Sequence, residues 1–268
     1  MESQPPFDHD ELDRLRTTAE EAAGVGAGVV AEAATESSIG RQLKGLGDYV
    51  TEVDRRSESA IREFLERTTP DIPVLGEEEG GHRGRVYWAV DPLDGTTNFL
   101  IGFPAVAVSV GLVAGTRCLA GAIRAPFLGL AFSASLGAGA WSNGRRLRVS
   151  ARPAESAIVT TGPPFREPSL LPRYLPALEA VLREAEDVRR PGAAALDLAW
   201  VAAGVFDGYF ELNLSVWDLA AGSLLVQEAG GVVTDWEDGD RYVEGNILAA
   251  SPSTHQLLLR AVRTGGAG

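Results

Sequence analysis

Asp91 and Asp94 stand close together inside Trp88-Ala-Val-Asp91-Pro-Leu-Asp94-Gly-Thr96-Thr97-Asn-Phe99. Carboxylates at such spacing are the hard oxygen donors that a divalent cation such as Mg²⁺ takes. Gly95 frees the backbone to turn. Thr96-Thr97 then reads as the start of a short helix, where the first N–H groups lack partners within the helix and suit an anion. A strand end, paired carboxylates, a glycine and free N–H groups together predict a place that holds a divalent cation beside a phosphate. More acids follow other apolar segments: Glu77-Glu78-Glu79, Glu211 after Tyr209-Phe210, and Asp218 after Trp217. Each has an ordinary reading as well. A run of acids is usually a solvated loop, and Asp218 serves as an N-cap. Asp54 is the third helical residue of a capping-box variant opened by Thr51. Three clustered acids, however, sit more easily beside a cation. His9, His82, His255 and the single Cys118 form no cluster suited to zinc.

The elements that must position these groups follow from periodicity. Residues 8–34 predict an amphipathic helix loosened by Gly24, Gly26 and Gly28, after a disordered 1–7, and 35–48 predict a loop or hairpin. A helix from Thr51 is closed by Pro70 and Pro73, with a strand over 72–75 and a flexible connection over 80–85. The run 86–90 is a buried strand that should stop at Asp91-Pro92, because proline cannot donate to a ladder. Residues 105–113, 119–125, 130–135 and 139–142, with Asn143-Gly144 as a hairpin turn, predict a mainly antiparallel sheet. The second half offers strands at 158–161, 188–190, 209–212, 232–234 and 247–250. Its helices are expected at 170–184 (interrupted by Pro172 and Pro176), at 194–203, from Trp217 to Glu228, and at 252–262. The segment Gly192-Ala193-Ala194 would point unpaired N–H groups outward at the start of the second of these. The expected division is 1–149, an α+β half with most of the acidic ligands, and 150–268, an α/β half that closes the site.

At 268 residues, 45% apolar and 23% charged, the chain suits a folded protein with a substantial core. The net charge of −13 argues against nucleic-acid binding through phosphate neutralisation. The same charge also simply maintains solubility. No apolar run approaches the ~18 residues of a membrane span. The N-terminal stretch shows neither a basic region nor an apolar one of a secretory signal, and one cysteine allows no internal disulfide; a cytoplasmic protein without a membrane partner is expected.

The stretch Asp91-Pro-Leu-Asp-Gly-Thr-Thr-Asn-Phe99 closely resembles the core motif of the inositol monophosphatase family, Mg²⁺-dependent and often lithium-sensitive phosphomonoesterases. Gly76-Glu77-Glu78 resembles the family's upstream acidic segment. Trp217-Asp218-Leu-Ala-Ala-Gly222 with Glu228-Ala-Gly-Gly231 resembles its C-terminal motif, and Lys44 and Asp48 match its loop before the second helix. The resemblance implies a layered αβαβα sugar-phosphatase fold and a site with two or three Mg²⁺ ions, Mn²⁺ being an alternative. It implies that Glu77, Asp91 and the Leu93 carbonyl hold the ion that activates water, with a third ion beside Glu77. Asp91, Asp94 and Asp218 hold the second. Thr96, aligned by Asp54, orients the water; Gly95 and Thr96 N–H groups bind phosphate. Gly192, Ala193, Ala194 and Glu211 contact a polyol, which makes inositol monophosphate or a similar small polyol phosphate the expected substrate. Family members are commonly homodimers. Histidinol phosphate, fructose 1,6-bisphosphate, NADP and 3′-phosphonucleotides are alternatives within the superfamily. A regulatory binding protein that keeps the fold, as in bacterial relatives that assist transcription complexes, is the alternative of another class.

Overall fold

Asp8 accepts the Glu11 N–H at 2.9 Å while the Glu11 carboxylate accepts the Asp8 N–H at 2.9 Å, a capping box that starts helix α1 (His9–Ala33). This computed structural model describes residues 6–35, 41–45 and 48–264; the expected disorder of 1–7 falls largely outside them. The glycines of α1 do not loosen it. A Cβ on Gly26 would come within 2.6 Å of Ile61 Cδ1, so the glycine lets α1 lie close against α2 (Glu52–Thr68). A hairpin of β1 (Arg41–Gly45) and β2 (Asp48–Thr51) leads into α2, as expected.

The large sheet contains β3 (Val74–Gly76), β4 (Gly80–Gly81) and β5 (Val86–Asp94), followed beyond the short α3 (Thr96–Ile101) by β6 (Ala107–Ala114) and β7 (Arg117–Ala125). It continues through β8 (Leu130–Ser135), β9 (Gly139–Ser142) and β10 (Arg145–Arg146). Its order is β10-β9-β8-β7-β6-β5-β3-β4, antiparallel except where β3 runs parallel to β5. The Asn143-Gly144 turn has positive φ at both residues (46° and 77°), as the dipeptide predicts. The segment expected as a loose connection at 80–85 begins instead as strand β4.

The second sheet contains β11 (Ile158–Gly162), β12 (Asp187–Arg189), β13 (Gly208–Glu211), β14 (Val232–Thr234) and β15 (Ile247–Ala250), in the order β12-β11-β13-β15-β14. Helices α4 (Leu171–Glu184) and α7 (Pro252–Thr264) cover its outer face; α5 (Ala194–Ala202) and α6 (Val216–Glu228) fill the space between the sheets. With α1 and α2 on the far face of the large sheet, the described residues form the αβαβα layering that the sequence implies. Side chains such as Leu112, Ile123, Leu198 and Phe210 are fully buried in these layers, each stabilising by ~1.5–3 kcal/mol relative to exposure before ordering entropy is subtracted.

Helix α4 is not interrupted. Pro172 lies in the first turn, where no N–H is needed, and Pro176 is carried within the helix because Tyr174, Ala177 and Val181 anchor it to the core. The Ala-Ala-Gly run of α6 has a geometric purpose. A Cβ at Gly111 or Gly121 would lie 2.8 Å and 2.9 Å from the Cβ atoms of Ala220 and Ala221, so α6 seats directly on β6 and β7. That seating places Asp218, in the first turn of α6, over the end of β5. Glu228 at the other end of α6 accepts N–H bonds of 2.7 Å from both Gly137 and Gly139, tying down the turn between β8 and β9.

Candidate active site

Strand β3 parts from β5 after the pair Gly76↔Val90, and the β5–β6 register slips between Asp91 and Asp94. The strand therefore does not stop at Asp91, as expected, but continues through Pro92 to Asp94. The slip leaves Pro92 at a bulge, where the missing N–H breaks no ladder bond. Beyond it Gly95 takes φ 89°, a left-handed conformation suited to glycine, and α3 begins. A cleft of roughly 330 Å³ opens here. Its lining includes Glu77, Asp91, Leu93, Asp94, Gly95 and Thr96 from the large sheet and Gly192, Ala193, Ala194, Glu211 and Asp218 from the second half. Of the residues given a catalytic, metal or substrate role from the sequence, all line this cleft except Asp54, which lies behind its wall.

Asp54 is buried and is the N3 residue of the capping box with Thr51, as its spacing suggests. One carboxylate oxygen accepts the Thr51 N–H at 2.8 Å and the Thr51 hydroxyl; the other accepts the Thr96 hydroxyl at 3.1 Å. Burial raises the Asp54 pKa, and these bonds work against the rise. Thr96 Oγ1 also lies 3.2 Å from the Leu93 carbonyl. A hydroxyl has one proton, so with two acceptors behind it Thr96 keeps its lone pairs for a donor in the cleft. The arrangement suits a water molecule that must be held by one hydrogen.

Asp94 takes 3.2 Å and 2.8 Å bonds from the N–H groups of Ala194 and Ala195, the first residues of α5. The expectation that the N–H of Ala194 points outward unpaired is corrected here, since Asp94 caps that helix from across the cleft. Asp218 is not the N-cap of α6. Ser215 is, and Asp218 at N3 accepts the Ser215 N–H at 2.7 Å. Ser109 on β6 donates to the Trp217 carbonyl at 3.1 Å, anchoring this turn to the sheet. Glu211 accepts the Tyr209 hydroxyl at 2.6 Å.

Burial and the neighbouring charges of Glu77, Asp94 and Asp218 push the Asp91 pKa well up. Burial, and next Asp218, raise Asp94 to about 7, and burial raises Glu211 to about 7 against the Tyr209 bond. Such crowding is costly unless a cation neutralises it. The donors are all oxygens, which selects a hard ion of the Mg²⁺ or Mn²⁺ type over zinc. Among the described residues no three carboxylate, histidine or cysteine groups gather tightly enough to enclose an ion unaided. What fits Mg²⁺ is the oxygen-only chemistry of the lining, carboxylates with the Leu93 carbonyl, since a hard ion of this kind takes oxygen donors.

The sequence matches the profile described as the inositol monophosphatase family over residues 11–267. A protein of Haemophilus influenzae named Nus factor SuhB is 43% identical over 225 residues, covering 82% of this chain and 84% of that one. The crystal structure of the extragenic suppressor protein suhB of Bartonella henselae superposes with a TM-score of 0.88 at 40% identity, covering 93% of this chain and 98% of that one. The inositol monophosphatase of Anabaena (Nostoc) sp. PCC 7120 gives 0.84 at 33% identity, covering 94% and 96%. The chain belongs to the inositol monophosphatase family.

Several groups around this family site escaped the sequence reading. Ser57 donates to the Pro92 carbonyl at 2.8 Å, and the fully buried Glu58 accepts the N–H groups of Glu78 and Glu79 at 2.7 Å and 3.0 Å. Their signal was positional: they follow Asp54 by three and four residues, hence share its helix face. Asn98 donates to the carbonyls of Ala105 (2.7 Å) and Pro191 (2.9 Å), joining α3 to the loop before α5. At the mouth, the guanidinium groups of Arg166 and Arg190 lie 5.7 Å and 5.4 Å from the centre of the Phe165 ring. Phe165 and Arg166 are neighbours in one loop, but no spacing in the sequence links them to Arg190, which comes from another.

Proposed function

We propose that the protein is a Mg²⁺-dependent phosphomonoesterase that hydrolyses inositol monophosphate or a similar small polyol phosphate. The observation that carries this reading is the cleft in which an oxygen-only set of carboxylates adjoins the Thr96 hydroxyl and the Gly95 turn, with Asp54 behind that hydroxyl. Glu77, Asp91 and the Leu93 carbonyl would hold one ion, and Asp91, Asp94 and Asp218 a second; a third beside Glu77 and replacement by Mn²⁺ belong to the same proposal. When bound, such ions lower the pKa of water and offset the charge on the phosphate. Thr96 accepts one hydrogen of the attacking water while Asp54 fixes the rotation of the Thr96 hydroxyl, directing the lone pair of the water along the line of attack. The N–H groups of Gly95 and Thr96 bind phosphate oxygens. Gly192, Ala193 and Ala194 border the polyol, and Glu211 accepts bonds from its hydroxyls. No phosphoenzyme is formed.

Under this proposal, residues 1–149 bring most of the acidic ligands and 150–268 bring Asp218 and the polyol contacts. A cytoplasmic homodimer inhibited by lithium completes it; among the described residues no helix is long and apolar enough to cross a membrane. Histidinol phosphate, fructose 1,6-bisphosphate, NADP and 3′-phosphonucleotides are the competing substrates. The deciding assay is phosphate release from a panel of these esters and inositol 1-phosphate, with and without Mg²⁺, beside Asp94→Asn. Mg²⁺-dependent turnover lost in the variant supports the reading, and no release from any ester by folded protein refutes it.

The relatives named Nus factor SuhB favour a second reading, a regulatory protein that binds a transcription assembly. It bears on the expectation, drawn from net charge, that nucleic acid is no partner. A partner retained from lysate by both wild type and Asp91→Asn would support a role independent of turnover; loss of every partner would remove it.

A further inference from the structure

We propose that one face of α2 is the positioning device of the site: Asp54, Ser57 and Glu58 set the spacing between the Thr96 hydroxyl, the β5 turn and the segment that carries Glu77. The role given to Glu77 rests on the phosphatase reading; the positioning itself does not.

The three residues occupy the first two turns of α2 at positions i, i+3 and i+4, so their side chains leave the helix on one face. Each reaches a different part of the cleft wall. Asp54 holds Thr96, and Ser57 holds the carbonyl of Pro92, between Asp91 and Leu93. Glu58 holds the backbone on the far side of Glu77. Arg62, one turn further, donates to Glu58 at 3.0 Å and to the carbonyls of Val74 (3.2 Å) and Gly80 (2.9 Å), and pairs with Glu79 at 3.3 Å. The turn between β3 and β4 is therefore clamped through backbone atoms of residues 74, 78, 79 and 80. Gly76 completes the clamp. A Cβ there would lie 2.1 Å from Glu58 Oε1, so only glycine lets the carboxylate reach under the strand. Glu77 sits between that glycine and the first clamped N–H.

A purely stabilising role would not call for this chemistry. Burying a carboxylate and a guanidinium is often no better than burying apolar side chains of the same volume. What this pair adds is direction: its bonds are spent on the turn next to Glu77. Partners of this kind, one step behind a metal ligand, typically change metal affinity by about 10–100-fold when replaced.

The test uses full-length Glu58→Gln, which keeps the shape but turns an N–H₂ group toward one of the two backbone donors. Mn²⁺ binding is followed by the loss of the free-ion electron paramagnetic resonance signal, and amide exchange is followed across residues 76–81. The expected result is a 10–100-fold weaker Mn²⁺ site, faster exchange at Glu78 and Glu79, and a raised Mg²⁺ requirement with kcat recovered at saturating Mg²⁺. Ile61→Val, on the same stripe of α2 but packed against α1 at Gly26 and making no polar bond to the cleft wall, is the control for general loosening and should bind Mn²⁺ as the wild type does. Wild-type exchange in Glu58→Gln, or equal weakening in Ile61→Val, overturns the proposal. If wild-type protein binds no Mn²⁺, the phosphatase reading fails, while the exchange result still decides the positioning role. Should Glu58→Gln not fold, Arg62→Lys, which loses the forked contact to Val74 and Gly80, takes its place with the same readouts.

Discussion

Without a bound cation, the protein should lose stability as pH rises from about 5 to 8. The carboxyl of Asp94 moves from its ordinary 3.8 to about 7 on folding, because burial and the Asp218 charge disfavour ionisation. Between those values the folded state binds more protons than the unfolded state, so the unfolding free energy falls with pH and levels off above 7. At ~1.4 kcal/mol per pH unit, the full effect of this one group is roughly 4 kcal/mol, and relaxation of the cleft reduces it to a few kcal/mol. Glu211, raised to about 7 by burial, acts in the same sense. His255, whose pKa is lowered by burial, acts oppositely below its ordinary 6.5. Mg²⁺ at a 100-fold excess over its Kd adds about 2.7 kcal/mol where the carboxylates are ionised, and less at pH 5 where protons compete. The assay is urea denaturation at pH 5, 6, 7 and 8, in EDTA and in Mg²⁺, on wild type and Asp94→Asn. The variant isolates the carboxylate contribution. It should match or exceed wild-type stability in EDTA at pH 8, be relatively less favoured at pH 5, and gain little from Mg²⁺. A flat wild-type profile in EDTA together with an unchanged difference between the two proteins from pH 5 to 8 would refute the reasoning.

Thr96→Val should lower kcat by about 100-fold or more while leaving Mn²⁺ affinity near wild type, since the hydroxyl acts on water; equal losses in both would show that Thr96 mainly shapes the metal site. Asp207 is fully buried and accepts 2.9 Å bonds from Arg152 and a 2.7 Å bond from the Ile158 N–H. Asp207→Ala should cost about 1–3 kcal/mol in urea denaturation, because the Ile158 N–H loses its acceptor and the partly exposed Arg152 loses its partner; a cost under about 0.5 kcal/mol would count against the pair. Cys118 is buried and its thiol is pushed up to about 12 by burial, so a thiol-specific disulfide reagent should label it only on unfolding; rapid labelling of native protein would contradict its placement.

What was legible in the sequence was whatever is local. Thr51 with Asp54, Asn143 with Gly144 and the Gly95 turn each carry their geometry within four residues, and all three appear as read. The acids of the cleft were legible because few structures require oxygen donors after several strand ends at once. The misreadings have a common physical origin in tertiary context. Pro92 looked like a strand stop, yet the register slip against β6 makes its missing N–H harmless. Pro176 looked like a helix break, yet the buried Tyr174 and Val181 hold α4 across it. The N–H groups at the start of α5 looked free, yet a carboxylate from a distant strand takes two of them. Glu58 is the most instructive. On a helical face its charge reads as solvated, and nothing nearby in the chain announces that the turn at 78–79 will fold over it. A glycine immediately before a run of acids, at Gly76, was the one visible trace: a strand that needs no side chain there is a strand approached closely by something else. In this protein the ligands that face the cleft are written in short motifs, while the groups that hold them are written across separations of twenty to a hundred residues, where only the folded chain brings donor and acceptor together.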